Sequence, residues 1–188
     1  MIPAFANTLV ILLAASAAPV APAACDRIPP DDSLHSVGEF SNMRYTEEHA
    51  YGCTVGLWGT DSCLVGYLAV SEGLMGDMPT GFLDSLLFDP KSGGLSFRAK
   101  LSLGMRMASG TAKPQRSRDL FRFEGVLRKD RLEGTLARSS PDTPHIAPVH
   151  KRIVLRRTLE EEIRAALYTY AEWKLRWKLL LLERSPGW

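Results

Sequence analysis

The chain has 188 residues, 45% of them hydrophobic, and a formal net charge of +2. That length and apolar content suit one domain with a single core, and the absence of repeats or low-complexity tracts excludes solenoid arrays and unfolded polymers. The near-neutral total hides an asymmetry: residues 24–90 hold eleven acidic against two basic side chains, and residues 91–157 sixteen basic against five acidic.

The first 23 residues carry no charged side chain, and the apolar run from Leu9 to Ala18 is too short to cross a bilayer comfortably. Residues 1–23 therefore read as a signal peptide, with the small residues Ala21, Pro22 and Ala23 before the cut. Pro22 stands where a lipid-attachment box wants a leucine-like residue, so periplasmic or secreted export is expected rather than a lipid anchor at Cys25. Residues 24–40 follow as a flexible arm. Export removes nucleic acid from the expected partners, and it puts Cys25, Cys53 and Cys63 where disulfides persist.

Residues 41–157 read as an antiparallel β domain, with its first strands near 41–46, 53–59 and 63–71. "GLWGTDSCL" looks like two strands turning at Gly59 to Ser62. Cys63 then sits beside the turn while Cys53 lies on the order of 16 Å along the partner strand, too far for a direct bridge. Either the hairpin is wrong, or Cys25 pairs with one of the two and the other stays buried as a small apolar residue.

"TGFLDSLLF" puts Phe82, Leu86 and Phe88 on one face, and "GGLSFRAKLSLG" alternates from Leu95 to Leu103. Pairing Phe88 with Leu95 also sets Leu86 against Phe97 and Phe82 against Leu101, with Asp84 opposite Ala99 as the one discordant pair. A second hairpin turns at Lys129 and Asp130. It sets Leu127 against Leu132, Gly125 against Gly134, and Phe123 against Leu136. Two facing glycines in mid-strand mark a bend or the close approach of another backbone or a ligand. A last strand near 149–157 brings the total to about eight, which predicts an antiparallel barrel or a strongly coiled sheet. The long connections are 72–81, 104–118 and 139–148, and Met75, Met78, Met105 and Met107 fall in or beside the first two. These methionines are candidates for an adaptable ligand rim, with packing under loops as the ordinary alternative.

Thr158 followed by Glu161 makes a capping box, which predicts one long C-terminal helix over 158–184, packed on the sheet and followed by a tail at 185–188. Leu159, Ile163, Ala166, Leu167, Tyr170, Trp173, Trp177 and Leu181 share one stripe at 100° per residue, suited to covering the sheet. Leu175, Leu179 and Leu182 project from the other side. A membrane surface, a second copy of the chain, another envelope protein or a folded-back tail would each cover them.

Sequence motifs for nucleophilic, phosphate-binding or metal-dependent catalysis are missing, and neither a metal nor a cofactor is expected. Gly56, Leu57 and Trp58 resemble the Gly-x-Trp signature of the lipocalins, eight-stranded ligand-carrying barrels with a helix after the strands. That resemblance covers one tripeptide and the order of elements; at least one strand precedes it here and a Thr-Asp-Tyr motif is lacking. Two binding functions follow for a non-catalytic envelope protein. The first engages an envelope protein, an anionic membrane surface or a second copy of the chain. It uses Trp173, Lys174, Leu175, Arg176, Trp177, Lys178, Leu179 and Leu182 on the helix, together with an anion-binding strand face of Arg98, Lys100, Arg122, Arg152 and Arg156. The second, implied also by the resemblance, is a lipocalin-like carrier of an apolar small molecule in a barrel cavity near the methionine loops, with Gly125 and Gly134 making room.

Overall fold

The computed structural model describes residues 28–60, 63–74, 78–107, 113–158, 168–181 and 188, with the backbone alone at 177 and 179–181. Eight antiparallel strands close into a barrel: β1 (Ser33–Ser41), β3 (His49–Gly59), β4 (Leu64–Leu74), β5 (Thr80–Asp89), β6 (Gly94–Leu101), β9 (Asp119–Leu127), β10 (Arg131–Ser139) and β11 (Val149–Arg157). Closure comes from β1, which pairs with β3 on one side and β11 on the other. The short β2 (Arg44–Tyr45) extends β3, and β7 (Met105–Met107) with β8 (Pro114–Arg116) forms a separate ribbon. Strand β12 (Tyr168–Thr169) and helix α1 (Tyr170–Leu181) complete the described elements.

The interior is one apolar cluster whose members alternate along β3, β4, β6, β9, β10 and β11, as half-buried strands require. The β9–β10 hairpin has the predicted register throughout: Leu127 opposes Leu132, Gly125 opposes Gly134, and Phe123 opposes Leu136. Phe88 opposes Leu95 as expected in β5–β6, but a bulge between Asp84 and Leu87 then shifts the register, with Ser85 in the left-handed region at φ 49°. The shift removes the discordant pair. Leu83 now opposes Ala99, while Asp84 opposes Arg98 and forms an ion pair with it at 2.9 Å. Phe82 is thereby turned outward.

A similar irregularity corrects the N-terminal boundary. The expected flexible arm extends to residue 40, yet Ser33–Ser41 is a barrel strand. Its register shifts between Ser36 and Gly38, where Gly38 takes φ 142°. Leu34 accordingly packs outside the barrel and Phe40 inside it, so the segment shows no simple alternation.

The predicted single helix over 158–184 also needs correction. Thr158 N–H donates to the Glu39 carbonyl at 2.8 Å, continuing the β11–β1 seam, and its predicted capping partner Glu161 lies outside the described residues. Residues 159–167 lie outside the described residues. The chain is extended at β12, where Thr169 opposes Ser33 and Tyr168 opposes Leu34. Helix α1 starts from a different capping box. Glu172 N–H donates to the Thr169 hydroxyl at 3.2 Å, and the Glu172 carboxylate accepts the Thr169 N–H at 2.8 Å. Two further helical donors, Tyr170 N–H and Ala171 N–H, reach the carbonyls of Asp32 and Pro30.

Trp173 covers the sheet, as its stripe predicts, and is thereby withdrawn from the partner-facing set to which it was also assigned. Its indole is 3% exposed and sits 5.9 Å from Trp58, 5.7 Å from Phe82 and 6.2 Å from Tyr170 between ring centroids. Gly56 has a local reason in the same cluster, because a Cβ there would collide with the edge of the Tyr67 ring and stand 2.9 Å from the Trp58 ring. Cys63 is disulfide-bonded and Cys53 is a free, buried thiol, in keeping with the hairpin geometry that forbids their pairing. Cys25 lies outside the described residues.

Candidate ligand-binding site at the mouth of the barrel

Connections alternate between the two ends of an antiparallel barrel. The strand ends joined by the short links 60–63, 90–93 and 128–130 lie at one end, and those joined by the longer links 42–48, 75–79, 102–118 and 140–148 lie at the other. Near the tight end, Phe97 stacks on Phe123 at 5.0 Å between centroids. A Cβ on Gly125 or Gly134 would stand 2.6 or 2.8 Å from the Phe123 ring. Those glycines therefore make room for a side chain of this chain and for each other, which corrects the idea that they make room for a ligand.

Toward the loop end the interior opens into a cavity of about 430 Å³. Cys53, Val70, Phe121, Leu136 and Ile153 form its apolar wall, each from an inward-facing strand position. Glu72, Arg138, Ile146, Val149 and Lys151 bring the lining out to solvent. Mixed lining of this kind, apolar within and charged at the rim, is what a small amphipathic molecule requires.

Two acid–arginine networks hold the rim loops in place. Arg138 lies 2.8 Å from buried Asp119 and 3.0 Å from Glu72. The other Asp119 oxygen accepts from Leu103 N–H at 3.1 Å and from the Ser117 hydroxyl at 2.6 Å, which ties the 102–118 connection to β9. Asp142, with its side chain 1% exposed, pairs with Arg118 and stands 3.0 Å from Arg106. These arginines, with Arg118 donating the dominant hydrogen bond, hold its carboxyl below the usual carboxylate range. Cys53 behaves oppositely. Burial pushes its thiol up to about 11, against a smaller downward pull from the charge of Lys151. It is neutral near pH 7 and unsuited to nucleophilic work.

Among the residues singled out from sequence, Met78 is half-buried and Met105 and Met107 are exposed, but the cavity lining contains none of the three. Met75 lies outside the described residues. Arg98, Lys100, Arg122, Arg152 and Arg156 are all exposed on the outer wall of β6, β9 and β11. Arg98 and Arg122 are directly opposed. Lys100 meets Trp188, donating to its carbonyl at 3.2 Å and lying 5.2 Å from its ring. On α1, Lys174, Leu175, Arg176 and Lys178 are exposed, Leu175 by 60%. Arg176 is engaged with the Tyr168 hydroxyl at 3.0 Å. The side chains of Trp177 and Leu179, and all of Leu182, lie outside the described residues.

Helix α1 covers β3, β4 and β5 through Trp58, Tyr67 and Phe82, while the basic side chains stand on β6, the neighbour of β5, and on β9 and β11. Sequence reasoning also passed over Asp119, Arg138 and Lys151. For Lys151 a signal existed: it shares the parity of Val149, Ile153 and Leu155, a cation in an otherwise apolar inward row.

Comparison with protein-family models, curated proteins and solved structures finds no match to the chain.

Proposed function

We propose that this is a non-catalytic, exported binding protein that holds a small amphipathic molecule in the open end of its barrel. The cavity of about 430 Å³ carries the reading. At interior packing density that space suits a ligand of about 20 non-hydrogen atoms. The uncharged leader at 1–23 supports export, as does the disulfide at Cys63, since such bonds persist outside the reducing cytosol. Titration with the fluorescent apolar probe N-phenyl-1-naphthylamine tests it. Saturable binding to the native protein is expected, and it should be lost in Val149→Trp, which places an indole at the exposed rim. Saturable binding that survives that substitution would assign the probe to another surface and defeat the proposal, as would no binding at all.

A second reading, a partner or membrane contact through α1, is supported by the 60% exposure of Leu175 beside Lys174, Arg176 and Lys178. Leu175→Glu leaves the buried Trp173 anchor untouched. Association with vesicles containing anionic lipid should fall in that variant, and unchanged association would remove this reading.

A further inference from the structure

We infer that the ligand of the mouth cavity is an anionic amphiphile, its carboxylate-like head at Lys151 and its apolar chain directed toward Val70, Phe121, Leu136 and Ile153. The inference rests on the cavity reading above and specifies its ligand. Lys151 occupies an inward row of β11, with Leu136 as its cross-strand partner and Ile153 as its neighbour on the same face. Among the described residues it makes no ion pair or hydrogen bond, while the other rim cation, Arg138, is committed to Asp119 and Glu72. Both Asp119 oxygens are already satisfied, one by Arg138 and the other by Leu103 N–H and the Ser117 hydroxyl. The rim therefore holds one ammonium without a fixed counter-ion beside an apolar chamber.

Filling that chamber displaces water from around Lys151. A wholly apolar ligand would leave the ammonium less solvated and unpaired, which opposes binding, whereas a ligand with an anionic head replaces the lost water with a charge-assisted contact. Because Lys151 remains exposed, the head sits at the rim and the chain points inward. The downward pull of Lys151 on the buried Cys53 thiol places its field within this chamber.

Decanoate and decan-1-ol, used below micellar concentration, separate head-group recognition from cavity filling. The wild-type protein should bind decanoate about tenfold more tightly, the size of one charge-assisted contact. Lys151→Met keeps the stem and removes the charge; it should bring the two ligands to similar affinity while leaving decan-1-ol binding in place. Lys151→Arg should retain the preference, and equal melting temperatures show that the fold is intact. Equal affinities in the wild type, or an undiminished decanoate preference in Lys151→Met, would overturn the inference while leaving the cavity as a binding site. Failure of both ligands to bind would remove the cavity reading itself and this inference with it.

Discussion

Trp173→Ala tests how α1 is held. The indole is 3% exposed and contacts Trp58, Phe82 and Tyr170, three rings contributed by β3, β5 and the first helical turn. Its removal returns roughly 200 Å² of apolar surface to water, about 5 kcal/mol at 25 cal/mol per Å². Such area sums are upper bounds because unfolded chains are partly compact, so the expected loss is about 3 to 4 kcal/mol. A helix of 12 residues does not persist alone, so the loss should be spatially selective. Urea unfolding followed by circular dichroism measures the total. Hydrogen exchange of the Tyr170 and Ala171 amides, now bonded to Asp32 and Pro30, reports whether α1 has undocked. A loss below about 1 kcal/mol with those amides still protected would show that the aromatic cluster is not what anchors the helix.

Gly125→Ala should cost about 2 to 4 kcal/mol, because the new Cβ would stand 2.6 Å from the Phe123 ring and 2.7 Å from the Gly134 Cα. Gly104→Ala, with nothing within 4 Å, is the control, and its melting temperature should match the parent's. Cys53, with its thiol near 11, should resist iodoacetamide at pH 8 in the folded protein and react on unfolding; rapid native alkylation would contradict its burial. Asp142 has a folded pKa below its unfolded one, so its stabilising pairing is present above the ordinary aspartate range and is lost as pH falls through the folded value. Asp142→Asn should lower the melting temperature most at pH 7, with a difference that shrinks toward pH 3; a difference that grew in acid would reverse the assigned sign.

The parts of the fold legible in the sequence are those in which local alternation and three-dimensional facing coincide. The β9–β10 hairpin is such a case, because no irregularity interrupts its period of two between Phe121 and Leu136. In β1 and β5 the same rule misleads. Leu34 and Phe40 differ by an even number of positions yet face opposite ways, and so do Phe82 and Leu86, because a bulge in each strand exchanges the faces. Gly38 at least advertises its bulge. Ser85 at φ 49° does not, since serine carries no special preference for the left-handed region.

The candidate site was less legible because a cavity depends on which barrel end is left open, a property of the whole circuit. Even so, the information was partly present. Antiparallel strands send every second connection to the same end, and here the tight turns alternate strictly with the longer links. Antiparallel order alone therefore gathers the strand ends that these longer links join at one mouth. Positions toward that mouth on β3, β11 and β10 include Cys53, Lys151 and Arg138, apart in sequence and together in the lining. What alternation could not supply was the pairing of charges. Arg138 and Lys151 look equivalent as inward cations, and the buried carboxylate of Asp119 distinguishes them: it binds Arg138 into the wall and leaves Lys151 facing the chamber without a carboxylate of its own among the described residues.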